Sequence, residues 1–474
     1  MTFFEPDDNC WRVAAADTFA VLIDGENYFR AVRSAMMQAQ ERIVLIGWDF
    51  DARVKMYDTQ GDVEGPLEIG EFIDWLVRRN PALHIYILQW NVGAIKLVKR
   101  GRTLIKVAEW LSHPRVHVAL DGAHPVGAAQ HEKLIIVDQG IAFCGGIDIT
   151  EDRWDTRDHR DVEEKRKQPT GIDTGPWHDA AARLTGEIAR SLGEHAEKRW
   201  EAATGERPIE AHSVIKEPPA TPHEQLEISN VDVAIARTRG ATDAFPTTAE
   251  IEALYCGIIE AARDTLYIES QYFTSKVIAR ALAQKLLIAG GPEIVLVLPA
   301  NSDGWLEQQV MDSTRARLIT ALRAIDHEGR FAVFHPMTEG GADIYVHAKI
   351  TIADQRLLRV GSSNIANRSM GFDSECDVCL DAQSTSRSEQ VQDYIKTVLI
   401  DLLSEHLGSS KDDVSQRYAS SKSLIATIRD LSRSGRGLRE YETPDLSAMQ
   451  EWLSHNDILD PLSDDTDWPS VRLA

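Results

Sequence analysis

Cysteine is scarce in this chain. Five in 474 residues, odd in number and widely scattered, exclude a disulfide framework. Cys376 and Cys379 in SECDVCL have a spacing that zinc sites use. No second Cys or His pair accompanies them, and residues three apart on a strand face opposite sides, so a buried structural role is expected and no metal site. Cations are also short: 51 Lys and Arg against 74 Asp and Glu leave a net charge of −23. A nucleic-acid binder ordinarily carries a basic footprint, so no nucleic-acid partner is expected. No apolar run approaches the ~20 residues of a membrane span; the longest, such as IVLIGW and EIVLVLP, have strand length. The opening MTFFEPDDNCW lacks the basic and apolar regions of a leader. The expectation is a cytoplasmic protein, at most peripheral to a membrane.

What the chain does have is a repeat. His131-x-Lys133-x4-Asp138 in HEKLIIVD returns as His347-x-Lys349-x4-Asp354 in HAKITIAD, every position displaced by 216, and the register carries Gly145 onto Gly361 and Asp148 onto Asn364. Strand-like runs fall in the same order in both parts, from IVLIGWDF to IAFCGG and from TLYIESQYF to RLLRVGS. Each set follows a helix with one apolar stripe: Tyr28, Ala31, Val32, Ala35, Met36 and Ala39 in the first, Ile251, Leu254, Tyr255, Ile258, Ile259 and Ala262 in the second. The predicted fold is α/β: two similar domains, each a mixed β-sheet flanked by helices, packed as a pseudo-two-fold pair with the active site between them. The first half spans 1–205, a Pro- and Glu-rich linker 206–225, the second half 226–405, and a helical appendage 406–474. The stretch 155–176 reads as a solvated, charged loop beside the first motif, with room to cover a site.

A phosphodiester is an anion. Cleaving it needs cations on its non-bridging oxygens, an in-line nucleophile and an acid for the leaving oxygen. His-x-Lys on a strand projects both side chains from one face. Two copies then place two imidazoles about one phosphorus and two ammonium groups on its oxygens, with no metal or other cofactor required. Histidine suits nucleophile and acid–base roles alike, since its ordinary pKa of ~6.5 lies near the working pH. Gly361-Ser362-Ser363-Asn364 follows a strand and brings Ser362 and Asn364 towards a phosphate, while Glu375 is placed to orient an imidazole through Nδ1. Asp138 and Asp354 complete the motif as buried supports on the opposite face. Asp148 is either a replacement ligand or a turn residue. His159 and His178 stand alone in sequence and are left outside the site.

These residues resemble the phospholipase D superfamily, whose signature is a duplicated H-x-K-x4-D. DGENYF, GWDFD, AFCGGIDI, RWDT, PWHD, IESQYF, YVHAK and GSSNIANRSMGFDSE extend the resemblance over about residues 10–405. The resemblance implies His131 as nucleophile, His347 as general acid and then base, Lys133, Lys349 and Asn364 on phosphate oxygens with Ser362 alongside, and Glu375 as the carboxylate behind an imidazole. Gly145-Gly146-Ile147-Asp148, where the second copy has Gly361-Ser362-Ser363-Asn364, is similar to the phosphatidylcholine-type enzymes. It implies hydrolysis of the distal phosphodiester of a glycerophospholipid to phosphatidic acid and a head-group alcohol at a membrane surface. Transphosphatidylation would be a side activity, and the site would be complete in a monomer. The alternatives are a cardiolipin-synthase-like transferase and, third, a nuclease.

Overall fold

A computed structural model describes residues 3–57, 64–91, 101–213, 226–242, 246–301, 305–432 and 435–443. Most of the predicted linker and the end of the appendage lie outside the described residues. The first part contains strands β1 (Arg12–Ile23), β2 (Arg42–Gly47), β3 (His84–Trp90), β4 (Val116–Asp121), β5 (Leu134–Val137), β6 (Ile141–Gly145), β7 (Trp177–His178) and β8 (Ala180–Gly186). The second contains β9 (Glu227–Arg239), β10 (Thr248–Ala249), β11 (Thr265–Glu269), β12 (Glu293–Val297), β13 (Phe331–Met337), β14 (Tyr345–Val346), β15 (Ile350–Ala353), β16 (Leu357–Gly361) and β17 (Glu375–Asp381), followed by β18 (Gly437–Glu440).

The pseudo-symmetry is legible in the strand order. Outward from β1 the sheet runs β8-β6-β5-β2-β3-β4, and outward from β9 it runs β17-β16-β15-β11-β12-β13. β2, β3 and β4 pair in parallel, as do β11, β12 and β13, and the remaining pairs on these paths are antiparallel. Antiparallel pairing of β1 with β9, Arg12 opposite Ile235, joins the two sets into one sheet.

Alternation along the strands feeds two cores at once. Val44 and Ile46 point into a central cluster shared by both parts, while Ile43 and Leu45 join the outer cluster under α1 (Gly25–Gln38) and α2 (Ile69–Arg79). In the second part Tyr267 points inwards, and Leu266 and Ile268 point outwards to α5 (Glu250–Ala261) and α6 (Lys276–Leu286). The remaining helices are α3 (Gly101–Leu111), α4 (Glu187–Thr204), α7 (Trp305–Ile325), α8 (Asn367–Gly371), α9 (Ser388–Leu407), α10 (Lys411–Ser421) and α11 (Leu424–Leu431). α4 and α9 close the central cluster. Both apolar stripes read from the sequence are buried throughout. Cys376 belongs to the central cluster and Cys379 to an outer one, on opposite faces of β17.

Two expectations need correction. The appendage is not purely helical: α9 runs through the boundary set at 405, and β18 adds an antiparallel strand to β13. That strand covers backbone groups β13 would otherwise leave open at the sheet edge. The loop 155–176 is not merely solvated. It buries Asp155, His159 and Arg166, and Asp161 accepts hydrogen bonds from Thr338 Oγ1 and from Gly340 N–H at 2.8 Å, stitching it to the other half.

Candidate active site

His131 and Lys133 lie just ahead of β5, and His347 and Lys349 just ahead of β15, in extended chain rather than within the strands where the sequence placed them. His131 N–H donates to Ser374 O at 2.9 Å and His347 N–H to His178 O at 2.8 Å, so each lead-in segment is anchored on the opposite half. Each lysine ammonium turns back onto the carbonyl of its own histidine, Lys133 at 2.8 Å. Both histidines line one cavity of about 370 Å³, with Trp48, Trp90, Asp148, Trp177, Asn364 and Glu375 among its walls.

The orienting carboxylates are exchanged between halves. Glu375, at the start of β17, holds His131 Nδ1 at 3.0 Å through either oxygen. Asp179, between β7 and β8, holds His347 Nδ1 at 2.7 Å. Occupying Nδ1 fixes each ring and leaves Nε2 as the free nitrogen. Ser362 is turned to Glu375 rather than to the cavity, donating at 2.6 Å, and Ser369 donates to the other oxygen at 2.7 Å. Burial pushes the Glu375 carboxyl up, but His131, Lys133 and Ser362 outweigh it and hold the group below its usual range. At Asp179 burial wins over Lys349 and the carboxyl is raised. His347 is held well below its ordinary value, by burial first and then by Lys349, Arg153, Lys133 and His131. Burial also brings Lys349 down to about 7.

Asp138 and Asp354 take no part in lining the cavity. Asp138 accepts the N–H groups of Gln40, Glu41 and Arg42 at 2.9, 2.9 and 2.8 Å. Asp354 accepts those of Arg263, Asp264 and Thr265 at 2.5, 2.8 and 2.7 Å. Each pins the turn entering the strand that pairs antiparallel with its own motif strand, β2 beside β5 and β11 beside β15, a supporting role repeated in both halves. Asp148 does two things: it lies 3.3 Å from Lys133 Nζ and accepts Trp48 N–H at 2.9 Å. Asn364, its counterpart, lines the cavity, and its buried Oδ1 has no hydrogen-bond partner among the described residues.

A family model described as "Cardiolipin synthase, PLD-like domain" matches residues 255–399, which contain the second motif. The chain is similar to phospholipase D1 of Schizosaccharomyces pombe, 23% identical over 84% of this chain and 36% of that one. It is similar to phospholipase D2 of Bos taurus, 24% identical over 73% and 47%. The chain is thus similar to phospholipases D over most of its length, and its residues 255–399 match a PLD-like domain. It spans less than half the length of these two relatives. Among solved structures its fold is that of phosphatidylserine synthase from Haemophilus influenzae, with a TM-score of 0.54 and 12% identity over 87% of this chain and 95% of that one.

Around this phospholipase D-like pair lie residues that the sequence reading passed over. Asp179 closes the PWHD segment, but the insertion 155–176 breaks the repeat register before it and hides its correspondence to Glu375. His159 and His178, read as lone histidines, are fully buried in a network beneath His347. His178 Nε2 meets Glu269 at 2.9 Å, and its Nδ1 lies 2.9 Å from Glu405 and 3.2 Å from Asp24. His159 meets Asp155 at 2.9 Å and Glu405 at 3.2 Å, and His406 meets Glu269 at 3.0 Å. Asp24, His159, His178 and Glu405 have the composition of a cation site, as do His178, Glu269 and His406. The chain balances this cluster itself: Arg166 pairs with Asp155 and Arg157 with Glu405. Burial works against charge on both imidazoles, yet the carboxylates push His159 up to about 9 and His178 well above its ordinary value. His159, His178, Arg157 and Arg166 thus face the carboxylates of Asp24, Asp155, Glu269 and Glu405.

Proposed function

We propose that this chain is a phosphodiesterase of the phospholipase D type. It cleaves the distal phosphodiester of a glycerophospholipid and releases phosphatidic acid and the head-group alcohol. The observation that carries this reading is the pair of imidazoles on one cavity, each held at Nδ1 by a carboxylate of the opposite half. In the proposed reaction His131 Nε2 attacks phosphorus and the bond to the head-group oxygen breaks, with His347 giving that oxygen a proton. His347 then takes a proton from water, whose oxygen displaces His131 from phosphorus. Lys133, Lys349 and Asn364 receive the non-bridging oxygens, and another alcohol in place of water gives transphosphatidylation.

Burial holds His347 well below its ordinary value, and the surrounding cations Lys349, Arg153 and Lys133 add to that effect. An arriving phosphate anion offsets them and favours the proton that the acid step requires. A substrate embedded in a membrane surface is supported by an exposed apolar residue beside the cavity: Val126, fully exposed, adjoins the lining residue Gly127. Among the described residues no helix is long and apolar enough to cross a membrane. The relatives' names, phospholipase D1 and D2, support hydrolysis. The description of the matching family model favours a second reading, transfer between phospholipids. Product analysis decides: phosphatidic acid from phosphatidylcholine is expected, and cardiolipin as the main product from phosphatidylglycerol alone would replace hydrolysis with transfer.

A further inference from the structure

We propose that Arg153 binds the substrate's phosphate as a third cation beside the two motif lysines, an inference that rests on reading the cavity as a phosphodiester site. The motif lysines do not supply two free charges. Lys133 is 3.3 Å from Asp148, and burial brings Lys349 down to about 7. Two arginines line the same cavity. Arg368 is committed to Asp373, at 3.0 and 2.8 Å, and to the Gly127 carbonyl at 2.8 Å. No carboxylate pairs with Arg153 among the described residues, and its Nε is buried without a hydrogen-bond partner.

Arg153 is held in place without being neutralised. Its guanidinium lies 4.1 Å over the Trp177 ring, and that ring is 5.1 Å from the imidazole of His347. Behind it, a side chain at Gly25 would collide with the Arg153 carbonyl, so the glycine of DGENYF lets α1 lock this backbone. The neighbouring Glu26 N–H donates to Asp155 O at 3.0 Å. A planar guanidinium stacked on an aromatic face keeps its charge and presents paired N–H donors, the arrangement that grips two oxygens of one phosphate. As phosphorus becomes five-coordinate its oxygens gain charge, and a fixed cation there stabilises that state more than the ground state.

The test uses the full chain, a chromogenic phosphodiester and inorganic phosphate. Arg153→Gln is expected to lower kcat/KM by ~10²–10³-fold and to weaken phosphate binding, read by calorimetry, at least about tenfold. Arg153→Lys should recover only part of either. Added guanidinium should rescue Arg153→Ala, which a merely structural arginine would not allow. Kinetics and phosphate affinity within about threefold of the parent in Arg153→Gln would overturn the assignment. If Arg153→Gln fails to fold, Arg153→Lys carries the same readings, and parental phosphate affinity there, together with no rescue, overturns it equally. A parent chain that neither cleaves the diester nor binds phosphate sinks the phosphodiester reading instead.

Discussion

His131 keeps 16% of its side chain exposed and rests on a carboxylate held below its usual range, whereas His347 keeps 6% and rests on a carboxylate raised by burial. Behind His131 the intervening Glu132 is clamped by His195 at 3.0 Å and lies 3.5 Å from Arg199; behind His347 the same position is Ala348, packed in the central apolar cluster. Duplication thus preserved the geometry of the two sites and not their electrostatics. A carboxylate on Nδ1, as Glu375 is, stabilises the positive charge that a phosphohistidine ring carries. In the proposed reaction His347, beside Lys349, Arg153 and Lys133, would give and take its proton as an anion arrives and leaves.

The sharpest break of this comparison is removal of either imidazole. His131→Ala and His347→Ala should each lose at least ~10⁴-fold in kcat. With a leaving group that needs no proton, His347→Ala should accumulate phosphoenzyme at residue 131, visible as added mass on the denatured protein. Label found only on residue 347 of a His131→Ala variant would invert the roles. Next come the carboxylates: Glu375→Gln and Asp179→Asn should each cost ~10–10²-fold, the former more, because it faces the imidazole that carries charge. Equal losses would mean that the two electrostatic states are equivalent.

A smaller effect concerns pH. Lys349 is charged below about 7 and neutral above it, so affinity for an anionic diester should decline as pH rises through that value. Lys349→Arg should push the decline to higher pH; a limb that stays put would assign it to another group. Asp138→Ala strips a buried carboxylate from three backbone N–H groups and should cost about 2–3 kcal/mol of stability, read as a lower unfolding midpoint, and Asp354→Ala, whose carboxylate is partly exposed, should cost less. Asp148→Asn, which makes the first copy resemble the second, should change kcat/KM by less than ~10-fold, since Lys133 is then freed while Trp48 keeps an acceptor.

The motif, the matching succession of strand-like runs in the two halves and both helix stripes were legible because each is a local pattern that repeats. Asp179 was not, since its partner His347 is 168 positions away and the insertion before it breaks the register. The histidine network was illegible for a different reason. His159, His178 and His406 each stand alone in sequence, and only the convergence of α1, β7, β11 and α9 brings acids to them. Asp148 could be assigned only once Trp48 was seen to lean on it.

The crossed carboxylates bear on the birth of the protein. A ribosome that has finished the first motif has made a histidine with no acid behind it, because Glu375 is still unsynthesised. The partial chain carries the reactive residues yet not the means to aim them. On the proposed reading, phosphodiester cleavage would await both halves, and a chain ending before Glu375 is expected to be inactive because His131 lacks the carboxylate behind it.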